Sequence, residues 1–160
     1  MESISAVIFD MDGLMIDSEP LWHIAERECF EAVGLTLTTE QLLETTGLRI
    51  DEVVMHRHSQ QPWDRPPLSH KVTLAQMTQN IIGRMKELFR TQLKAKPGLR
   101  AAIDFFKSKG LPLAVASSSN MELIEAALDA LDLRKEFLVV HSAEKEEYGK
   151  PNPSVYLSGS

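Results

Sequence analysis

A strand that runs out into carboxylates governs the layout of this chain. Residues 6–18 read Ala-Val-Ile-Phe-Asp-Met-Asp-Gly-Leu-Met-Ile-Asp-Ser. The apolar run, with β-branched Val7 and Ile8, has the character of a buried strand. It ends abruptly in Asp10 and Asp12, and acids at i and i+2 of an extended chain project to the same side. Gly13 then lets the backbone turn away from them. Two readings fit the residues equally well. One is a polar turn closing a core strand. The other is a working pair, with Asp10 attacking an electrophile and Asp12 exchanging a proton with the leaving group.

The rest of the chain supplies a setting for that strand. From Pro20 the apolar spacing becomes helical, through Leu21, Ile24, Ala25, Phe30 and Val33 to Gly34. A second short helix is expected from Thr38 or Thr39 and a third over about 50–59, followed by an irregular Pro-rich connection around Trp63. A long amphipathic helix is expected over about 69–94, with Val72, Leu74, Met77, Ile81, Met85, Leu88 and Leu93 in its apolar stripe. Lys96-Pro97-Gly98 breaks it and opens another helix carrying Leu99, Ala102, Ile103 and Phe106. Residues 111–116 and 137–140 read as two further strands flanking a helix with Leu123, Ile124, Ala127, Leu128 and Leu131. Strand, inserted helices, helix, strand, helix, strand is a βαβ alternation. The expected fold is therefore α/β: a Rossmann-like parallel sheet core, incomplete at the C-terminus, with an inserted helical-bundle cap. Residues 1–17 and 96–160 are assigned to the core and 18–95 to the cap.

Composition narrows the partners. The 160 residues carry 17 basic and 23 acidic side chains, a net charge of −6, with no long basic run. That argues against nucleic acid or an anionic membrane as partner. No apolar run approaches the ~20 residues that span a bilayer, and the N-terminus has no basic leader. Cys29 is the only cysteine, which excludes a disulfide framework and fits a reducing compartment. A cytoplasmic protein is expected.

In a parallel sheet, ligands bind beyond the carboxyl ends of the strands. Ser117-Ser118-Ser119-Asn120 lies between a strand and a helix N-terminus, where free N–H groups and the helix dipole favour an anion. The Ser117 hydroxyl and Ser118 N–H are candidate phosphate ligands, with Asn120 beside them; Ser119 or Asn120 acting only as a helix cap is the plainer alternative. His56 and His58 do not share a helix face and make a poor metal pair. They, His23, His70 and His141 read as ordinary polar residues, and Trp63 as a loop anchor.

Phe9-Asp10-Met11-Asp12-Gly13 with Asp17-Ser18, a serine at the next strand end, and Gly149-Lys150-Pro151 come in the order of the motifs of the haloacid dehalogenase-like hydrolases. The chain resembles that family, and within it the small sugar-phosphate phosphatases with a helical cap, to which Gly47-Leu-Arg-Ile-Asp51, Gln61-Pro-Trp63 and Ser142-Ala-Glu-Lys145 are also similar. The resemblance implies an enzyme in which Asp10 becomes an aspartyl phosphate and Asp12 serves as acid and then base. It implies Ser117, Ser118, Asn120 and Lys150 around the phosphate, and Arg49 in the substrate-specificity loop. It further implies Mg²⁺ between Asp10 and the phosphate, with the Asp12 carbonyl as a second ligand. A small phosphorylated hexose or hexitol is the expected substrate. Glu19 could meet a sugar hydroxyl, and acidic charge placement at a helix N-terminus explains it equally well.

The pattern departs from the family at the end. The fourth, acidic motif should follow Lys150 by some tens of residues, whereas the chain stops at Ser160 after a Ser-Gly-Ser that reads as a truncation. The strand of residues 6–9 is then expected to be an apolar edge open to self-association. A catalytically impaired fragment or a non-catalytic binding module of the same fold is the alternative to the phosphatase. A sugar phosphomutase is a lesser one.

Overall fold

A computed structural model of the chain describes residues 3–143. Its elements are β1 (Val7–Asp10), α1 (Glu19–Glu31), α2 (Thr39–Glu44), α3 (Ile50–Gln60), α4 (Leu74–Gln92), α5 (Leu99–Ser108), β2 (Leu113–Ser117), α6 (Met121–Ala130), a 3-10 turn (Arg134–Glu136) and β3 (Val139–Ser142). The three strands form one parallel sheet in the order β1-β2-β3. Register sets Asp10 beside Ala116 and Ser117 beside Ser142. The carboxyl ends of all three strands therefore line up along one edge.

Beneath that edge the sheet rests on aromatic packing. Phe9 is buried and meets Phe106 and Phe137 edge-on, at 6.2 and 5.8 Å between ring centroids, contacts worth about 0.5–1.5 kcal/mol each beyond area burial. Holding Phe137 there shifts β3 two residues later than expected, to Val139–Ser142. The 3-10 turn before it is fastened to α5 by Glu136, which binds Arg100 at 3.1 Å and Lys107 at 2.5 Å.

Helices α1 to α4 occur in the chain between β1 and α5. Helix α2 starts on a reciprocal cap between Thr38 and Gln41, and α4 on a matching one between Thr73 and Gln76. The second cap explains why α4 begins at Leu74 rather than near Ser69, whose φ of 54° is not helical. The buried stripe of α4 is Met77, Ile81, Ile82, Met85, Leu88 and Phe89. It is broader than the sequence suggested because α4 packs on α1, α3 and α6 together, so Ile82 and Phe89 also need cover. Lys86 on α4 reaches Glu122 on α6 at 3.0 Å. Trp63 is fully buried, donates its indole N–H to the Val72 carbonyl at 2.7 Å, and packs edge-on against Phe30. It anchors the Pro-rich loop.

Two chain connections run side by side between the sheet and these helices. Ile16 forms bridges to Asp12 and to Ala95, and Lys96 donates its backbone N–H to Met15 O at 2.8 Å. One apolar core of buried residues extends through the whole described region. Among the described residues no helix is long and apolar enough to cross a membrane. No strand among them pairs with the outer edge of β1, where Ile8 is 38% exposed.

Candidate active site

The alternation of β1 aims its acids. Met11 is fully buried in the core, so its neighbours Asp10 and Asp12 turn the other way, into a cavity of about 450 Å³ at the carboxyl edge of the sheet. Gly13, at φ 80°, makes the turn that follows, and its N–H donates to Ile16 O at 3.0 Å. Only a residue without a Cβ takes that conformation without strain.

Three hydroxyls hold the Asp12 carboxylate. Ser18 donates to Oδ1 at 2.6 Å, and Ser119 and Ser117 donate to Oδ2 at 2.8 and 3.3 Å. The Ser117 hydroxyl in turn accepts the Ser119 N–H at 3.1 Å, and Ser142 at the end of β3 donates to the Ser119 carbonyl at 2.5 Å. The loop after β2 is thus bound to the ends of both β1 and β3. Ser117 is itself fully buried and stands behind the cavity wall, whereas Ser118, Ser119 and Asn120 line the wall. Asn120 occupies the N-cap position of α6 without a side-chain cap bond.

The opposite wall comes from the helices. It includes Glu19, Trp22, His23 and Glu26 of α1 and the loop Thr45-Thr46-Gly47-Leu48-Arg49. Arg49 donates to the Ala143 carbonyl at 3.1 Å, just past β3, and pairs with Asp51 at 3.3 Å and Glu52 at 3.7 Å. It thereby ties the start of α3 to the sheet edge. Lys96 also lines the cavity, 3.9 Å from Asp17. Glu26 is 6% exposed, and burial pushes its carboxyl up to about 7, with buried Arg57 partly opposing the shift. His23 Nε2 is buried with no hydrogen-bond partner among the described residues, its nearest acid being Glu19 at 3.8 Å. An unsatisfied buried polar atom costs about 1–3 kcal/mol.

Asp10, Asp12, Ser118, Asn120 and Arg49 therefore meet around one cavity, with Ser117 directly behind it. Lys150 lies outside the described residues. The sequence marks His23 as an ordinary polar residue and Lys96 as part of a helix break, and gives Trp22 and Glu26 no site role. The three on α1 do carry a signal: with Glu19, Trp22, His23 and Glu26 recur at i, i+3, i+4 and i+7, a second stripe beside the buried Leu21 and Ala25.

Comparison with known proteins identifies the family. Residues 7–159 match the family model described as haloacid dehalogenase-like hydrolase. The chain belongs to that family. It is a haloacid dehalogenase-type enzyme. Hexitol phosphatase B of Escherichia coli K12 is 40% identical over 155 residues, covering 96% of this chain and 67% of that protein. A phosphorylated carbohydrates phosphatase of Thermotoga maritima is 34% identical over 154 residues, covering 96% and 68%. Among solved structures, CbbY from Rhodobacter sphaeroides in complex with phosphate has a TM-score of 0.83 at 25% identity, covering 98% of this chain and 71% of that one. This hydrolase chain thus spans about two thirds of the length of the relatives it matches.

Proposed function

We propose that the chain is a phosphatase of small sugar phosphates, hexose or hexitol phosphates, that works through an aspartyl phosphate on Asp10 and depends on Mg²⁺. The observation that carries this reading is the meeting of Asp10, Asp12 and the N-terminus of α6 at one cavity walled on its far side by α1 and the Arg49 loop. Its sequence likeness to hexitol phosphatase B and to the phosphorylated carbohydrates phosphatase supports the substrate class.

The chemistry follows from the groups present. A carboxylate oxygen of Asp10 attacks phosphorus in line, the ester P–O bond breaks, and Asp12 protonates the departing sugar oxygen. Asp12 then takes a proton from water, whose oxygen attacks the acyl phosphate and releases inorganic phosphate and Asp10. Ser118 and Asn120 at the start of α6 supply N–H and amide donors for the phosphate oxygens. Lys150, carried over from the motif it matches, is the proposed cation beside the nucleophile.

The donors present fit Mg²⁺. The Asp10 carboxylate and Asp12 carbonyl are hard oxygens, and this ion takes one or two carboxylates and completes its shell with water and substrate phosphate. Among the described residues no group of three or more His, Cys, Asp or Glu could form a full protein cage. When bound, the ion supplies positive charge that offsets repulsion between the acids and the phosphate. Residues 18–95 act as a cap that selects the sugar, and residues 1–17 and 96–160 as the core. Nucleic acid and membrane are not partners in this reading.

The test is phosphate release from a panel of hexose and hexitol phosphates with Mg²⁺, with Asp10→Asn alongside. Turnover that the substitution abolishes is the expected result. Conversion of the ester to an isomeric ester without free phosphate would instead identify a mutase, and no turnover would favour a binding module.

A further inference from the structure

Helix α1 brings polar groups to the cavity that the phosphoryl chemistry leaves unused. His23 and Glu26 sit at i, i+3, adjacent on one helix face, and both line the cavity. Nε2 of His23 has no described hydrogen-bond partner. The Glu26 carboxyl is almost fully buried, and the Arg57 charge on α3 acts on it. A hydroxyl, which is both donor and acceptor, satisfies an imidazole nitrogen and a carboxyl oxygen at once.

We propose that His23 and Glu26 form a hydroxyl-binding subsite for the far end of an open polyol chain whose phosphate lies at Asp10. They would select six-carbon over three-carbon phosphate esters. This rests on the phosphatase reading only for where the phosphate sits.

Length decides which ligand reaches the subsite. Ser18, hydrogen-bonded to Asp12, marks the phosphate end of α1. His23 lies five residues further on and Glu26 eight, a rise of about 7.5 and about 12 Å. Three bonds of an extended chain cover about 3.6 Å. The eight bonds from phosphorus to the last oxygen of a six-carbon polyol phosphate reach about 10 Å, and the five bonds of glycerol 3-phosphate about 6 Å. The longer ester reaches between His23 and Glu26. The shorter stops before both. Trp22, also on the cavity wall, offers an apolar flank to the carbon chain.

The experiment is calorimetric titration of Asp10→Asn protein with sorbitol 6-phosphate and glycerol 3-phosphate, in otherwise native protein and in His23→Leu, Glu26→Leu and Glu26→Gln backgrounds. The six-carbon ester should bind more tightly. Either leucine substitution should weaken it by about tenfold while changing glycerol 3-phosphate by less than about twofold, and Glu26→Gln should restore part of the loss because an amide still bonds a hydroxyl. Unchanged three-carbon affinity also shows that the variants remain folded. Equal loss of both esters, no loss of either, or no binding of the six-carbon ester overturns the subsite. Selective binding by a protein that releases no phosphate with Asp10 intact would instead contradict the phosphatase and leave the subsite standing.

Discussion

The Ser18 hydroxyl donates to Asp12 Oδ1 at 2.6 Å, although Ser18 is the N-cap residue of α1 and makes no cap bond with its own helix. A serine in that position ordinarily accepts a helix N–H and contributes about 1 kcal/mol. Here it is turned to the acid instead. The first residue before the inserted helices thus helps fix the proposed acid and base, and Ser119 does the same from the far side.

Removing those hydroxyls should separate activity from stability. Ser18→Ala and Ser119→Ala are each expected to lower kcat about 10- to 100-fold by loosening Asp12, with KM little changed. Stability should fall by no more than about 1–2 kcal/mol. Steady-state kinetics beside urea denaturation checks both.

Glu26 should make the fold pH-dependent. Its carboxyl is raised from 4.5 to about 7 in the folded protein, so between those values the folded chain keeps a proton that the unfolded chain has released. Stability is therefore full below about 4.5, falls as pH rises through 7, and is then lower by up to about 3 kcal/mol. Glu26→Gln should flatten that slope between pH 5 and 8, measured as the midpoint of urea unfolding against pH.

Arg57 should matter as much for packing as for charge. It is 2% exposed and donates to the Gln41 carbonyl, to Gln60 at 3.0 Å and to Thr45 at 3.4 Å, joining α3 to α2. Arg57→Met keeps the stem and removes the donors. A loss of about 2–4 kcal/mol is expected, together with a further rise of the Glu26 carboxyl, whose lowering influence is Arg57.

The outer edge of β1 should be adhesive. Ile8 is 38% exposed there, with no described strand pairing alongside it. Light scattering of the chain should show association that grows with concentration, and Ile8→Lys should reduce it.

Much of this was legible in the sequence because the strongest signals were local. Asp10, Asp12 and Gly13 lie within one turn of backbone, and the burial of Met11 between the acids follows from strand alternation. Helix starts at Thr39 and Ile50 were readable from their flanking residues. The parts that were not legible depend on tertiary neighbours. Helix α4 begins later than its apolar spacing suggests, and its stripe is broader because three other helices cover it. The serines show the same limit. Sequence alone offers Ser117 as a phosphate ligand but not the bond its hydroxyl makes to Asp12, at 3.3 Å across 105 residues of chain. His23 reads as an ordinary polar residue and Glu26 carries no site role in the sequence because a polar stripe on a helix ordinarily means solvent, and only the second wall of the cavity gives it another meaning.

The most direct measurement is rapid quenching of the full chain with ³²P-labelled sorbitol 6-phosphate and Mg²⁺, followed by peptide mapping of the acid-quenched protein. The expected result is transient label on the peptide holding Asp10, absent in Asp10→Asn. Turnover with no labelled peptide, or with label at another residue, would contradict the aspartyl-phosphate route.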